Sequence, residues 1–185
     1  MAFGLRRARN LGRVHANVNE YAHDSGDSVA LFIGDPVVTT GTSTNAVALI
    51  NDGTPIVAAS GTITTTAIRG FVEGVRVNGG NLTLQYCPAS VNLAILVCDD
   101  PNVTVEIQDD GTAAVGDVSG NIAITSGAGI IQTGVSAYVA HEASLGSTNV
   151  LRILRLAPIV NNTMGANAVL ECSINAHELK NTSGT

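Results

Sequence analysis

Four histidines, three cysteines and two pairs of aspartates are the residues of this chain whose types suit metal binding or nucleophilic chemistry. Their spacing argues against both. His15, His23, His141 and His177 are scattered, and His141-Glu142 matches half of a zinc-protease helix but has Leu145 where the second histidine belongs. Cys87, Cys98 and Cys172 are odd in number and form no CxxC or Cys/His ligand pattern. Cys172 alternates with Leu170 and Ile174, as a small buried hydrophobe does. Asp99-Asp100-Pro101 and Asp109-Asp110-Gly111 could offer oxygens to calcium, but they flank one six-residue strand and lack EF-hand spacing. Turn residues that accept backbone hydrogen bonds are the expectation there. No GxSxG elbow is present. Gly127-Ala-Gly129 has no following lysine and reads as a loop needing positive φ. The expectation is therefore no catalytic set, no metal site and no cofactor: not an enzyme.

The arginines are the other chemistry-bearing residues. Arg6, Arg7, Arg9 and Arg13 fall within the first 13 positions, which contain no acid, while the remainder carries five basic and 15 acidic groups. Nucleic acid is not an expected partner of so acidic a body, because phosphate binding rests on clustered Lys and Arg. The basic tip suits an acidic protein surface better. Arg152 and Arg155, three apart in a strand, are expected on opposite faces, with one meeting an interior or interface carboxylate or both snorkelling to solvent.

The elements that must hold these residues are strands. Val, Ile and Thr together account for 53 of 185 residues, and side chains that are stiff at χ1 suit a pleated surface. Charged residues are only 13%, so long disordered or coiled-coil segments are excluded. Aromatics are only 3%, too few for a sugar cleft or a base-stacking platform. No run approaches 18 apolar residues, so no membrane span is expected, and the arginines lack the apolar stretch of a signal peptide.

Short apolar runs recur from Val29 onward: 29–33, 46–50, 55–59, 63–68, 71–77, 82–86, 92–98, 103–108, 122–124, 135–140, 149–156 and 168–174. Asn51-Asp52-Gly53 signals a hairpin, Gly79-Gly80 a turn, and 92–98, apolar on both faces, a central strand. Leu82 to Tyr86 shows the clearest alternation, and 113–120 reads as a short helical turn. The fold class expected is all-β, a β-sandwich or small β-barrel (jelly-roll-like or tulip-like) with an extended N-terminal arm. Residues 1–27 form that arm and 28–185 a single β-domain.

Several stretches, in order along most of the chain, resemble the head decoration (cement) proteins of tailed bacteriophages. They are the opening Met1-Ala-Phe-Gly-Leu-Arg6, Asn81-Leu-Thr-Leu-Gln-Tyr-Cys-Pro-Ala-Ser90, Val97-Cys-Asp-Asp-Pro-Asn-Val103, Val105-Glu-Ile-Gln-Asp-Asp-Gly111, Leu151-Arg-Ile-Leu-Arg-Leu156 and Asn161-Asn-Thr-Met-Gly-Ala-Asn-Ala168. The resemblance implies a non-enzymatic virion protein, made in a bacterial cytoplasm and placed on the capsid surface, that clamps the expanded shell. Its partners would be the major capsid protein and further copies of itself, a trimer ahead of a dimer, with no nucleic acid and no membrane. Phe3, Leu5, Arg6, Arg7, Arg9 and Arg13 would make the capsid contact. A tail- or fibre-associated adhesion module is the alternative.

Overall fold

The computed structural model describes residues 2–11, 16–39, 56–58, 61–76 and 83–180. Arg13, the strand expected at 46–50, the Asn51-Asp52-Gly53 hairpin and the Gly79-Gly80 turn lie outside the described residues.

Most of the β-branched runs become strands, and the fold is all-β, with three sheets among the described residues. A seven-stranded sheet runs in the order β1 (Arg6–Asn10), β8 (Val103–Gln108), β14 (Val169–Ile174), β12 (Leu151–Leu156), β10 (Asn121–Thr125) and β11 (Val139–Gly146), with β5 (Thr62–Ile63) also paired to β10. A five-stranded, strongly curled sheet runs β2 (Val18–His23), β7 (Leu93–Cys98), β6 (Gly70–Val75), β3 (Pro36–Thr39) and β4 (Ile56–Ala58). The third pairs β9 (Thr112–Ala113) with β13 (Gly165–Ala166). The short helical turn expected within 113–120 is a 3-10 turn at Val115–Asp117.

Period-two alternation sets the two faces of the large sheet. Val103, Val105 and Ile107 of β8, Leu170, Cys172 and Ile174 of β14, and Leu151 and Ile153 of β12 enter one core. Phe71 and Cys98, from the five-stranded sheet, join that same core. A second core forms within the curled sheet around Tyr21, Val37, Val72, Leu93, Ile95 and Val97. β7 therefore sends Leu93, Ile95 and Val97 into one core and Cys98 into the other. Being covered on both sides and lying between β2 and β6, it is the central strand its apolar sequence announced.

The first 27 residues, expected as an arm, contribute a strand to each large sheet. β1 forms the edge of one and β2 the edge of the other. Both strands lie along their own domain, and the reason is burial. Leu5 is 2% exposed within the larger core, worth about 1.5–3 kcal/mol for such a side chain. Its N–H donates to the Gly34 carbonyl at 2.8 Å. Gly4 and Gly34 permit this approach. Both have positive φ, 68° and 96°, and a Cβ on Gly4 would stand 2.5 Å from the Gly34 oxygen.

Four expected segments differ, the first being 63–68, of which only Ile63 lies in a strand (β5) while Ile68 makes an isolated bridge to His177. Residues 83–86 form no strand, and 29–33 only isolated bridges, Leu31 to Cys87 and Ile33 to Val135. Pro88 has no N–H with which to extend the ladder past Cys87, and the chain turns at Gly34. The strand expected at 135–140 starts later, at Val139, because Ser136 Oγ accepts the Tyr138 N–H in a local turn. Gly127 and Gly129 do not carry the positive φ expected of them. Glycine is needed at 129 for space, since a Cβ there would fall 2.3 Å from the Phe32 ring.

Candidate functional site

The outer face of the seven-stranded sheet gathers four of the chain's eight arginines. On β8 the residues that alternate with the core valines are Thr104 and Glu106, and on β14 they are Glu171 and Ser173. Glu106 and Glu171 are direct cross-strand partners, as are Thr104 and Ser173. Two like charges directly opposite one another are unfavourable by themselves.

Arginines from the flanking strands resolve this. Arg6 donates from Nε and Nη2 to Glu106 Oε2, at 3.0 and 2.5 Å. Arg9 Nε donates to Glu171 Oε1 at 2.5 Å, and Arg155 Nε to Glu171 Oε2 at 2.6 Å. The Thr104 hydroxyl accepts the Arg9 N–H at 3.2 Å and lies 3.1 Å from both the Arg9 carbonyl and Glu171 Oε1, which share its single proton. Glu171 is 1% exposed although it points away from the core, because its own ligands roof it over. Burial alone would raise its carboxyl pKa. The hydrogen bonds from Arg155, Arg9 and Thr104 outweigh that and hold it below the ordinary value.

Two β-bulges make the geometry. β1 pairs Arg7 with Val105 and Arg9 with Thr104, so Ala8 is an extra residue, and Arg6 and Arg9 share a face despite being three apart. β12 pairs Ile153 with Cys172 and Arg155 with Glu171, so Leu154 is extra in the same way. Arg152, opposite Ser173, and Arg155, opposite Glu171, consequently lie on one face. This corrects the expectation of opposite faces. The expected encounter with an interior carboxylate is made by Arg155.

The six residues expected to contact a capsid are distributed differently. Leu5 belongs to the core and supports the site from beneath. Phe3 lies under Arg6, whose guanidinium carbon is 4.6 Å from the ring centroid. Arg7 points to the other side of β1 and pairs with Glu73 of β6 at 3.3 Å. Arg6 and Arg9 stand on the outer face, each about half exposed. Arg13 lies outside the described residues. Beside Phe3 an open groove of about 510 Å³ is lined by Ile33, Phe71, Val135, Arg7 and Glu73.

Other polar residues serve the fold. Asp100 accepts the Asn102 N–H at 2.9 Å and Asp109 the Gly111 N–H at 3.1 Å, as turn aspartates do. Asp99 does more: it accepts the Tyr21 hydroxyl at 2.6 Å, and Arg69 Nε donates to that hydroxyl at 2.7 Å. Burial pushes the carboxyls of Asp35 and Asp109 up to about 6 and the His177 imidazole down to about 4. Among the described residues no group of three His, Cys, Asp or Glu side chains is arranged to hold a metal ion. Among them, too, no helix is long and apolar enough to cross a membrane.

Arg155 is expected from the sequence to meet a carboxylate, whereas Glu106, Glu171 and Thr104 are not singled out there. Their signal is a lone glutamate between apolar neighbours in each of two strands, with Arg-x-x-Arg in two more. Comparison with protein-family models, with curated proteins and with solved structures found no match to this chain.

Proposed function

We propose that this chain is a non-enzymatic structural protein of a tailed-phage virion, one that decorates the capsid shell and cements its expanded form. The ordered resemblance to head decoration proteins motivates the reading. The observation that carries it is the placement of β1: an edge strand presenting Arg6, Arg7 and Arg9, each roughly half exposed, next to a groove floored by apolar side chains. Edge strands are where sheets meet other chains, and arginines on one guard it against indiscriminate pairing.

The major capsid protein is the proposed partner, with the protein's own copies, as a trimer ahead of a dimer, completing the assembly on the capsid surface. Three buried free thiols accord with synthesis in a reducing host cytoplasm. The sandwich or small-barrel reading belongs to the same proposal and is supported by the core that the two large sheets share. A protein that binds the expanded shell and not its precursor stabilises that state by mass action.

Co-sedimentation with expanded and unexpanded shells tests the reading. Saturable binding to expanded shells alone, at a fixed ratio to the capsid subunit, is expected. Binding to neither shell overturns it and favours a tail- or fibre-associated adhesion module.

A further inference from the structure

The outer face of the large sheet holds two cross-strand rows with an arginine at each end. One runs Arg6, Glu106, Glu171, Arg155, and the other Arg9, Thr104, Ser173, Arg152. With strands ~4.8 Å apart and residues ~3.4 Å apart along them, the arginine backbones mark a rectangle of roughly 14 by 7 Å. The carboxylates lie low in its middle, Glu106 at 14% and Glu171 at 1% exposure, while Arg6, Arg9 and Arg155 are 47–54% exposed above them.

Arg9 and Arg155 are each held through Nε. A guanidinium fixed by that edge still offers its two Nη groups as a planar fork to a second carboxylate. Arg152 is exposed and makes no hydrogen bond or ion pair with the described residues. Four positive against two negative groups leave this face at +2, so the chain's net −6 leaves −8 on everything else. A long polyphosphate would meet that acidic surround with a charge every few ångströms. A short acidic stretch of protein brings only the few charges that the face can match.

We propose that this four-arginine face is a docking platform for a carboxylate-rich, extended segment of a partner protein. Carboxylates at alternate positions of an extended chain lie about 7 Å apart on one side, which fits both dimensions of the rectangle. The inference rests on the cement reading only for whose segment it is, the capsid subunit's.

The test is an NMR titration of the whole protein, following arginine Nε–H resonances, with a twelve-residue peptide alternating Glu and Thr. The same peptide with Gln for Glu and a twelve-nucleotide oligothymidylate serve as comparators. Saturable shifts at Arg9, Arg152 and Arg155 are expected with the Glu peptide. Arg152→Glu, which breaks no bond within the described residues, should weaken binding at least tenfold, and the charge-matched Arg76→Glu, at an exposed arginine that pairs with Glu20 of the curled sheet, should leave it unchanged. The proposal is overturned if the peptide does not bind, if the Gln peptide or the oligonucleotide binds as tightly, or if both variants weaken binding equally. Shells separate the two readings. Shell binding that Arg152→Glu leaves intact removes the platform and keeps the cement role, and peptide binding without shell binding does the reverse.

Discussion

Glu106 and Glu171 face each other directly across β8 and β14, two carboxylates on the same side of one sheet. Arg6 is anchored to the first, Arg9 and Arg155 to the second, and the arginines come from strands near opposite ends of the chain. The pair thus ties the N-terminal edge strand to the C-terminal half of the sheet through charge.

Removing one side of such a cluster is not equivalent to removing the other. Arg9→Gln with Arg155→Gln leaves a buried carboxylate unpaired and should cost about 3–5 kcal/mol. Glu171→Gln leaves two half-exposed arginines that can turn to water, and should cost on the order of 1 kcal/mol. Adding Glu171→Gln to the double arginine variant should restore part of its stability. Urea unfolding of the four proteins measures all three terms.

The same carboxylate predicts a pH dependence. Its folded pKa lies below the ordinary value of ~4.3, so its stabilising contribution is full above that pH and is lost as pH falls through the folded value. The penalty of the double arginine variant should therefore shrink as the medium is acidified below about pH 4, read from urea midpoints at successive pH values.

Asp109 acts in the opposite sense. Its Oδ1 is buried with no hydrogen-bond partner, and its pKa is pushed up to about 6, chiefly by burial. Between roughly pH 4 and 6 the folded protein holds a proton that the unfolded chain has released, so this group favours folding increasingly as pH falls through that window. Asp109→Asn should stabilise the protein at pH 7, on the order of 1 kcal/mol, with the gain fading towards pH 4. His177 opposes it over much of the same range, which is why the difference between variant and parent is the quantity to follow.

Deleting residues 1–10 should destabilise the whole domain, in contrast to what an outlying arm would allow. It removes β1 from its sheet and Leu5 from the core, and Leu5→Ala alone should cost about 2–5 kcal/mol. Gly34→Ala should loosen the same segment, because its Cβ would fall 2.6 Å from the Phe3 carbonyl oxygen at a φ of 96°. Faster amide exchange at Leu5 in the glycine variant would show this.

The class of structure and most of its strands are legible in the order of the residues. A β-branched, glycine-punctuated chain has period-two stretches whose alternation fixes which side chains enter a core, as at Val103, Val105 and Ile107. It also showed where the arginines are concentrated. Tertiary structure alone decided what they face. A bulge adds one residue and reverses the phase of everything beyond it, so Arg152 and Arg155 share a face that simple alternation denies them. The partnership of Arg9 with Glu171 spans 162 positions and depends on sheet order, which no local pattern encodes. That β1 and β2 lie along the domain follows from the burial of Leu5 and Tyr21, a property of the packed whole.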